Sequence, residues 1–316
     1  MYIENNFFGQ RQIGSFCTME LQLLPSNKID KIKWDECLNS SSVPLIYASS
    51  TYLDHMADNW NGIVAEDYSF IMPIPWRKKL GIRYCYKVPF IQQLGVFGKK
   101  VEEDAIQSCA ELMLESFRYG DYFFNYRNKY NSGKRCSNYI LSLASNYRST
   151  SLFYADKLTS DLSKATKNSL EYEHGTADEA IGLFRELYTE RIQGITPGDY
   201  NNFYRLCHLK ERENNLIVRK ISSGKNILSI SLLMKDKFRI YNLISCTTQN
   251  GRNALAGHFL YDSLIKEYSQ TGLIFDFEGS DLPGIKHFYK SFGAMEQPYT
   301  QIHFNRLPFF LQLFKR

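Results

Sequence analysis

The stretch that decides the fold is FDFEGSDLPGIKHFYKSFGA, residues 275–294, near the end of the chain. Its first four residues alternate apolar and acidic side chains as a buried strand does, and a Pro-Gly pair then starts a short helix that stops at Gly293. This helix carries a tyrosine, Tyr289, next to the acidic residues at the end of the strand. A phenol beside carboxylates is an arrangement suited to acyl transfer.

The helical part of this stretch resembles a known family. FYKSFGA matches the fourth helix of GNAT acyltransferases at Phe288, Tyr289, Phe292, Gly293 and Ala294. In that family the tyrosine faces the thioester sulfur of the acyl donor. DFEGS, followed by PG and FYKSFGA, is similar to the double-domain, Fem-like branch of the superfamily. The resemblance extends loosely over most of the chain, and it implies tandem GNAT-like domains.

Length and composition indicate an ordinary globular protein. The 316 residues suffice for two domains of roughly 150 residues each. Hydrophobic residues make up 44% and charged residues 22%, close to ordinary globular usage, which indicates neither a disordered nor a membrane protein. No apolar run reaches the roughly 18 residues that span a bilayer, and the start of the chain lacks a signal-peptide pattern. We therefore expect no membrane span and no export.

Cysteine usage and net charge constrain the partners. The seven cysteines are odd in number and lack CxxC spacing, which argues against a disulfide framework and against a zinc site. We expect a cytoplasmic protein without a metal. The net charge of +5 favours anionic ligands without requiring nucleic acid, and ordinary solubility charge is the simpler explanation of it.

Two halves of the chain share one order of predicted elements. Each contains antiparallel strands, a helix and a further strand, which indicates duplication of one α+β unit. The predicted elements of the first half are strands 62–66, 69–75 and 83–89, a helix 102–118 and a strand 121–126. Those of the second half are strands 216–221, 226–234 and 238–246, a helix 253–268 and a strand 273–278. The predicted fold is α+β, with two twisted mixed sheets flanked by helices.

A connecting helix is predicted over residues 151–170. We place an N-terminal domain at residues 1–170, with 1–18 as a possible extension, and a C-terminal domain at 171–316. Lys157 and Lys164 lie on the polar side of the connecting helix, with Lys167 nearby. They form either a solvated face or a rail for phosphates. A helix from Ala177 to Arg191 and a loop from Arg191 to Asp199 are predicted to follow.

An acyl-donor site is predicted where TTQNGRNA, residues 247–254, opens onto a helix. Free backbone N–H groups at a helix start bind anions, and in GNAT enzymes a Q/R-x-x-G-x-G/A loop at this place holds the pyrophosphate of coenzyme A. The resemblance assigns this role to six consecutive residues: Gln249, Asn250, Gly251, Arg252, Asn253 and Ala254. The glycine spacing differs from the motif. The alternative is a simple turn with Asn253 as the helix N-cap.

Catalytic roles are predicted for three residues of the decisive stretch. An alkylamine with a pKa of about 10.4 is almost fully protonated at pH 7, so a base is useful, and Glu278 or Asp276 is the candidate. Tyr289 is predicted to stabilise the departing thiolate, because full proton transfer from a phenol to a thiolate is uphill by about 2 kcal/mol. The alternatives are a carboxylate that caps the helix or pairs with Lys286, and a tyrosine that belongs to the core.

The first half contributes PIPWRKKLG, residues 73–81, followed by QQLGVFG at 92–98. In the Fem-like family a similar segment helps to line the acceptor cleft. By residue type alone it is a basic, aromatic hairpin, and a solvated turn is the alternative.

The resemblance implies an N-acyltransferase that takes an acyl group, such as acetyl, from an acyl-CoA such as acetyl-CoA. The acceptor is expected to be an amine on a small molecule or on a cell-envelope precursor. A Fem-like transferase that uses aminoacyl-tRNA is the first alternative. A non-catalytic module that keeps the fold is the second.

Overall fold

A computed structural model describes residues 20–188, 194–279 and 281–308. In this part of the chain the strands form two mixed sheets with helices on their faces, so the predicted α+β fold is confirmed. The predicted extension 1–18, the first residues of the loop predicted at 191–199 and the last turn of the helix predicted to end at Arg191 lie outside the described residues.

The strands, in chain order, are β1 (Leu21–Pro25), β2 (Asn59–Ala65), β3 (Phe70–Lys79), β4 (Ile82–Cys85), β5 (Phe97–Gly98), β6 (Tyr119–Phe124), β7 (Lys134–Cys136), β8 (Tyr139–Ser142), β9 (Glu171–His174), β10 (Leu216–Ser223), β11 (Asn226–Lys235), β12 (Arg239–Thr247), β13 (Ile274–Asp276), β14 (Met295–Glu296) and β15 (Tyr299–Asn305). The helices are α1 (Lys31–Ser40), α2 (Ser50–Met56), α3 (Glu103–Ser116), α4 (Tyr147–Ser151), α5 (Asp156–Ala165), α6 (Ala177–Tyr188), α7 (Pro197–Arg212), α8 (Gln249–Asn253), α9 (Ala256–Glu267) and α10 (Pro283–Ser291).

The duplicated order of elements is present in both halves. The first unit has β2, β3 and β4 antiparallel, then α3, then β6 parallel to β4. The second has β10, β11 and β12 antiparallel, then α9, then β13 parallel to β12. A parallel neighbour needs a crossover connection, which the helix supplies in each unit.

The two sheets exchange strands. Sheet order is β1-β2-β3-β4-β6-β15-β7 in the first and β14-β8-β13-β12-β11-β10-β9 in the second. The late strand β15 thus pairs with β6 of the first sheet, and the early strand β8 pairs with β13 of the second. The domain division at residue 170 stays a prediction. Each sheet contains strands from both sides of that residue, since β8 belongs to the second sheet and β15 to the first.

The second sheet is buried on both faces. In β11, Leu232 belongs to the core shared with α6, α7 and the first unit, while its neighbour Leu233 belongs to the core under α5, α9 and α10. Both side chains are fully buried. This explains the nearly continuous apolar run of β11, since alternate residues enter different cores.

Two predicted helices are divided in the structure. The helix predicted at 151–170 is replaced by α4 and α5, because the backbone N–H of Ala155 donates to Ser291 O and so leaves the helical ladder. The helix predicted at 253–268 is replaced by α8 and α9, because Leu255 between them has φ of 61°. Asn253 caps neither helix: Thr248 is the N-cap of α8 and Leu255 that of α9.

Helix α7 begins inside the segment predicted as a loop at 191–199. Its start is fixed by a capping box in which the Thr196 side chain accepts from Asp199 N–H and the Asp199 carboxylate accepts from Thr196 N–H. Pro197 occupies the first helical position, where its missing N–H costs nothing. The Pro-Gly pair that suggested a loop therefore opens a helix of 16 residues.

Candidate active site

Strands β12 and β13 separate after a short parallel pairing. They pair from Arg239↔Ile274 to Tyr241↔Asp276, and β12 then continues to Thr247 while β13 ends. At the separation point the register of β12 against β11 shifts, so that Asn242 and Leu243 together face Leu233. A bulge of this kind bends a strand and re-aims its side chains. The later half of β12 is therefore left with an open edge toward α10 in the described structure.

A cleft of about 470 Å³ lies at this open edge. Its lining comes from the end of β12, the turn after it, α9, α10 and the last residue of α6. The lining residues are Tyr188, Ser245, Cys246, Thr247, Arg252, Leu255, Gly257, His258, Tyr261, Gly284, Ile285, Phe288 and Tyr289. The two predicted elements around the site, the turn after β12 and the helix with Tyr289, thus meet at one cavity.

Tyr289 lines the cleft with only 9% of its surface exposed. Its ring lies 4.8 Å from that of Phe277, and its hydroxyl is hydrogen-bonded to Tyr261. The Tyr261 hydroxyl in turn accepts from Asn242 Nδ2 at 2.6 Å, which links the pair to the bulge of β12. Burial, together with the neighbouring Tyr261, raises the pKa of Tyr289 well above its usual value. The phenol is therefore held neutral and able to donate.

The Asp276 carboxylate is engaged in an ion pair with Arg239, whereas a catalytic base needs contact with the amine substrate. Its carboxylate accepts from Arg239 Nη1 at 2.5 Å, and both side chains are almost fully buried. Asp276 Oδ1 also accepts from Glu278 N–H at 3.0 Å. These contacts occupy Asp276 in holding the start of β12 to the end of β13. Its catalytic role stays a prediction from the sequence.

Glu278 lies beyond the end of β13 with φ of 54°, so the strand alternation that would place it beside Asp276 does not reach it. Its Oε1 atom is buried and has no hydrogen-bond partner among the described residues, although the residue as a whole is partly exposed. Burial raises the pKa of this carboxyl to about 8. Of the acids near the turn, Asp281 is the one that pairs with Lys286, at 3.5 Å.

A crossing of two chain segments fixes the position of Glu278. The next residue, Gly279, donates its N–H to Asn138 Oδ1 at 2.8 Å. A Cβ atom at Gly279 would lie 2.3 Å from Ser137 O, so only glycine fits against the segment that leads into β8. The exchanged strand β8 therefore holds the turn that carries the candidate base.

The turn predicted to hold pyrophosphate satisfies most of its donors internally. Thr248 Oγ1 accepts from Gly251 N–H, and the Arg252 guanidinium donates to Thr247 O and to Gln249 Oε1, each at 2.8 Å. Gln249 Nε2 donates to Asn253 Oδ1 at 3.1 Å, while Asn250 and Asn253 are exposed. Of the six predicted residues, from Gln249 to Ala254, Arg252 is the one that lines the cleft.

The open helix start faces the cleft a few residues later. Leu255, the N-cap of α9, makes no side-chain capping hydrogen bond, and Gly257 and His258 of the first turn line the cavity. The first N–H groups of a helix have no partner within the helix, so they are available to an anion. Counted from Arg252, the pattern R-x-x-L-x-G fits the family motif with Leu255 in the place of its first glycine. Leu255 adopts the left-handed conformation that glycine favours.

His258 and Tyr261 were not singled out from the sequence. Burial lowers the pKa of His258, and its ring contacts Phe288 edge-on at 5.0 Å between centroids. The spacing of His258 and Tyr261, one helical turn apart, puts both on one face of α9. The predicted helix 253–268 contains both residues, but the sequence does not show which of its faces borders a cleft, since that depends on where α10 lies.

The chain matches no family model and no curated protein. Among solved structures it is similar to FemX, at 14% identity over 94% of this chain and 100% of that one, with a TM-score of 0.62. It is also similar to a tandem GNAT protein from the clavulanic acid biosynthesis pathway, at 8% identity over 90% and 98% of the two chains, with a TM-score of 0.51.

This chain has the tandem GNAT fold of the Fem-like proteins. A conserved protein of unknown function from Bacteroides thetaiotaomicron shares the fold, with 10% identity over 91% of this chain and 100% of that one and a TM-score of 0.55.

The two halves of the fold are not equivalent in this protein. In the first GNAT unit, residues 91–98 fill the space beside β6, where Leu94 N–H donates to Phe123 O. The open cleft described above belongs to the second unit.

Two further observations concern the described residues only. Among them no helix combines the length and apolar character needed to cross a bilayer. Within the same ranges, no three His, Cys, Asp or Glu side chains come together as metal ligands.

Proposed function

We propose that this protein is an N-acyltransferase that moves an acyl group, such as acetyl, from a coenzyme A thioester to an amine. The observation that carries the proposal is the cleft between β12 and α10. It joins an uncapped helix start, which suits a diphosphate, to the neutral hydroxyl of Tyr289. A thioester donor needs both features, since its phosphates and its sulfur must be held at the same time.

The chemistry assigns a role to each group. The amine nitrogen attacks the thioester carbonyl carbon, the C–N bond forms, and the C–S bond breaks to release thiolate. We assign the carbonyl oxygen, as it becomes negative, to main-chain N–H groups of β12 beyond the end of its pairing with β13. Tyr289 donates a hydrogen bond to the departing thiolate, which then takes its proton from solvent, while the amine proton passes to Glu278.

Glu278 is the proposed acceptor of the amine proton. Transfer from an ammonium of pKa about 10.4 to a carboxylate of pKa about 4.3 is uphill by roughly 8 kcal/mol. With the Glu278 pKa raised to about 8, the same transfer is uphill by roughly 3 kcal/mol. Burial of Oε1 thus makes Glu278 a far better base than an exposed glutamate, and it supports Glu278 over the ion-paired Asp276.

The proposal is tested by mixing the protein with acetyl-CoA and a panel of primary amines, including amino sugars and diamino acids. Release of free coenzyme A thiol, together with an acetylated amine of the expected mass, is the result we expect. The same panel is run with Tyr289→Phe as the catalytic control. If no amine is acetylated and no thiol is released above the uncatalysed rate, the proposal is wrong.

One observation favours a second candidate donor, an aminoacyl-tRNA. The leucine at position 255 adds a side chain where the coenzyme A motif has a bare glycine, and Arg252 is held by Thr247 and Gln249. FemX is also among the structures that share the fold. Under this alternative, binding to tRNA should weaken steeply with salt, while binding of acetyl-CoA should change little. A titration of each donor at 50 and 300 mM salt separates the two.

A further inference from the structure

The hairpin of β3 and β4 concentrates positive charge at one place. Residues 76–87, WRKKLGIRYCYK, contain five cations and no acid, whereas the whole chain has a net charge of +5. Arg77 at its base is neutralised by Asp58 and Asp199. Three further cations of the hairpin are exposed and take part in no ion pair among the described residues: Lys78, Lys79 and Arg83. The cations without an ion-pair partner therefore lie close to the tip of the hairpin.

The tip itself is apolar and fully exposed. Leu80 and Gly81 form a two-residue turn, closed by Lys79↔Ile82, in which both residues have positive φ. Such turns favour Asn-Gly or Asp-Gly, since a branched apolar residue gains nothing in the left-handed conformation. Leu80 nevertheless has φ of 50° and is 93% exposed, the largest exposure among the large hydrophobic residues of the described chain.

The cross-strand pairing of the hairpin is unfavourable in water. Lys78 lies directly opposite Arg83, and like charges in that position repel. The hairpin therefore combines an apolar tip in a strained conformation with a like-charge pair. Neither feature is stabilising in a turn that is surrounded by water. A surface with anionic groups over an apolar interior stabilises both, because it buries the leucine and neutralises the cations.

We propose that this hairpin docks on an anionic phospholipid membrane, with Leu80 inserted among the acyl chains and Lys78, Lys79 and Arg83 at the headgroup phosphates. RNA would be bound through stacked aromatic rings, but the tip is aliphatic, and the Trp76 and Tyr86 rings of the hairpin are covered by Arg83 and Arg77. These features favour a lipid surface over RNA. The base of the hairpin is tied to α7 by Arg77 Nη2 and Asp199 Oδ1 at 2.9 Å, so docking would fix the orientation of the second unit as well. This inference does not depend on the proposed chemistry.

The test is flotation of the full chain with vesicles. One set contains phosphatidylcholine alone and the other contains about 30% phosphatidylglycerol. We expect binding to the anionic vesicles, with little binding to the neutral ones and a loss of binding as salt rises. Leu80→Asn keeps a residue that the turn accepts and should lower the partition coefficient at least about tenfold. The double variant Lys78→Gln/Lys79→Gln should lower it about 25-fold.

Matched controls come from elsewhere on the surface. Leu152, which is 79% exposed, supplies Leu152→Asn, and the exposed pair at 99 and 100 supplies Lys99→Gln/Lys100→Gln. Both should partition as the unchanged protein does. Thermal unfolding of each variant checks that the fold is kept. Equal binding to both vesicle types, or equal partition of Leu80→Asn and Leu152→Asn, would overturn the proposal. So would RNA binding in place of vesicle binding.

Discussion

Arg239 and Asp276 form a buried ion pair between the first residue of β12 and the last residue of β13, with 2.5 Å between Nη1 and Oδ2. The pair sits where the two strands begin to separate, and the same guanidinium donates to Gln297 Oε1 at 3.3 Å. It therefore ties the two strands of the cleft to the segment that leads into β15. Because both charges are buried, loss of either one leaves the other without compensation.

Asp276→Asn should therefore act on stability. We expect the free energy of unfolding to fall by about 3–5 kcal/mol, as for other broken buried pairs. Glu278→Gln is the matched control two residues away, and it should not destabilise the protein at pH 7, because it replaces a buried carboxyl that has no partner at Oε1. Urea denaturation of both variants measures the difference. Similar small losses in the two would contradict the structural role of Asp276.

Glu278 should make stability depend on pH. Its carboxyl has a pKa of about 8 in the folded protein and about 4.5 when unfolded. Between these values the folded state binds more protons than the unfolded state, so stability falls as pH rises from about 4.5 to about 8. The slope is at most about 1.4 kcal/mol per pH unit, and above pH 8 the contribution stays constant. Unfolding curves across this range should show the slope in the unchanged protein and a smaller slope in Glu278→Gln.

The same group should shape the pH profile of the proposed reaction. Only ionised Glu278 accepts a proton, so kcat/KM should rise about tenfold per pH unit below pH 8 and level off above it. Glu278→Gln should lower the rate by about 10²–10⁴-fold and remove this limb. A profile that is unchanged in the variant would exclude Glu278 as the base.

Tyr289→Phe should slow turnover without abolishing it. The phenol is proposed to donate to the leaving sulfur, and loss of one such donor costs about 10²–10³-fold in kcat. Tyr139→Phe is the control: Tyr139 is fully buried, its ring centroid lies 6.1 Å from that of Tyr289, and its hydroxyl has no partner among the described residues. We expect full activity from it. Equal losses in the two variants would indicate a packing effect.

Two glycines near the turn after β12 should respond differently to alanine. A Cβ atom at Gly251 would lie 2.1 Å from the Leu228 carbonyl oxygen, so Gly251→Ala should destabilise the protein by roughly 2 kcal/mol or more. At Gly257 the nearest atom is Thr247 Oγ1 at 3.0 Å, a side chain that can shift. Gly257→Ala should keep most of the stability and weaken anion binding instead. Thermal unfolding with and without coenzyme A distinguishes the two effects.

The fold was predictable because local sequence patterns identify most of its strands and helices. The apolar strands separated by short turns at residues 226–246, the apolar spacing of α3 and the FYKSFGA helix all identify elements from neighbouring residues alone. The exchange of β8 and β15 between the sheets was not predictable in this way, since each is a short strand whose partners lie more than a hundred residues away. Pairing over such separations is set by tertiary packing.

The site was predicted in part. Tyr289 was identified from its motif, and the structure brings it to the cleft together with the turn after β12. The sequence predicts one helix from residue 253, whereas the structure has α8 from Gln249, in which Gly251 packs against β11, and α9 from Ala256. The conformation of Leu255 breaks the usual preference for glycine, and no local pattern indicates it. His258 and Tyr261 are not predicted as cleft residues, because their contacts with Phe288 and Tyr289 of α10 are set by tertiary packing.

The central claim is that the cleft of the second unit holds the acyl donor, and titration calorimetry with acetyl-CoA tests it most directly. Gly284 lines the cleft and Gly182 of α6 does not, and a side chain at either glycine would enter open space, so Gly284→Trp and Gly182→Trp form a matched pair. We predict saturable binding with Kd below about 1 mM for the unchanged protein and for Gly182→Trp, weakened at least about tenfold in Gly284→Trp. An absence of binding at several times that concentration, or equal binding by both variants, would contradict the account.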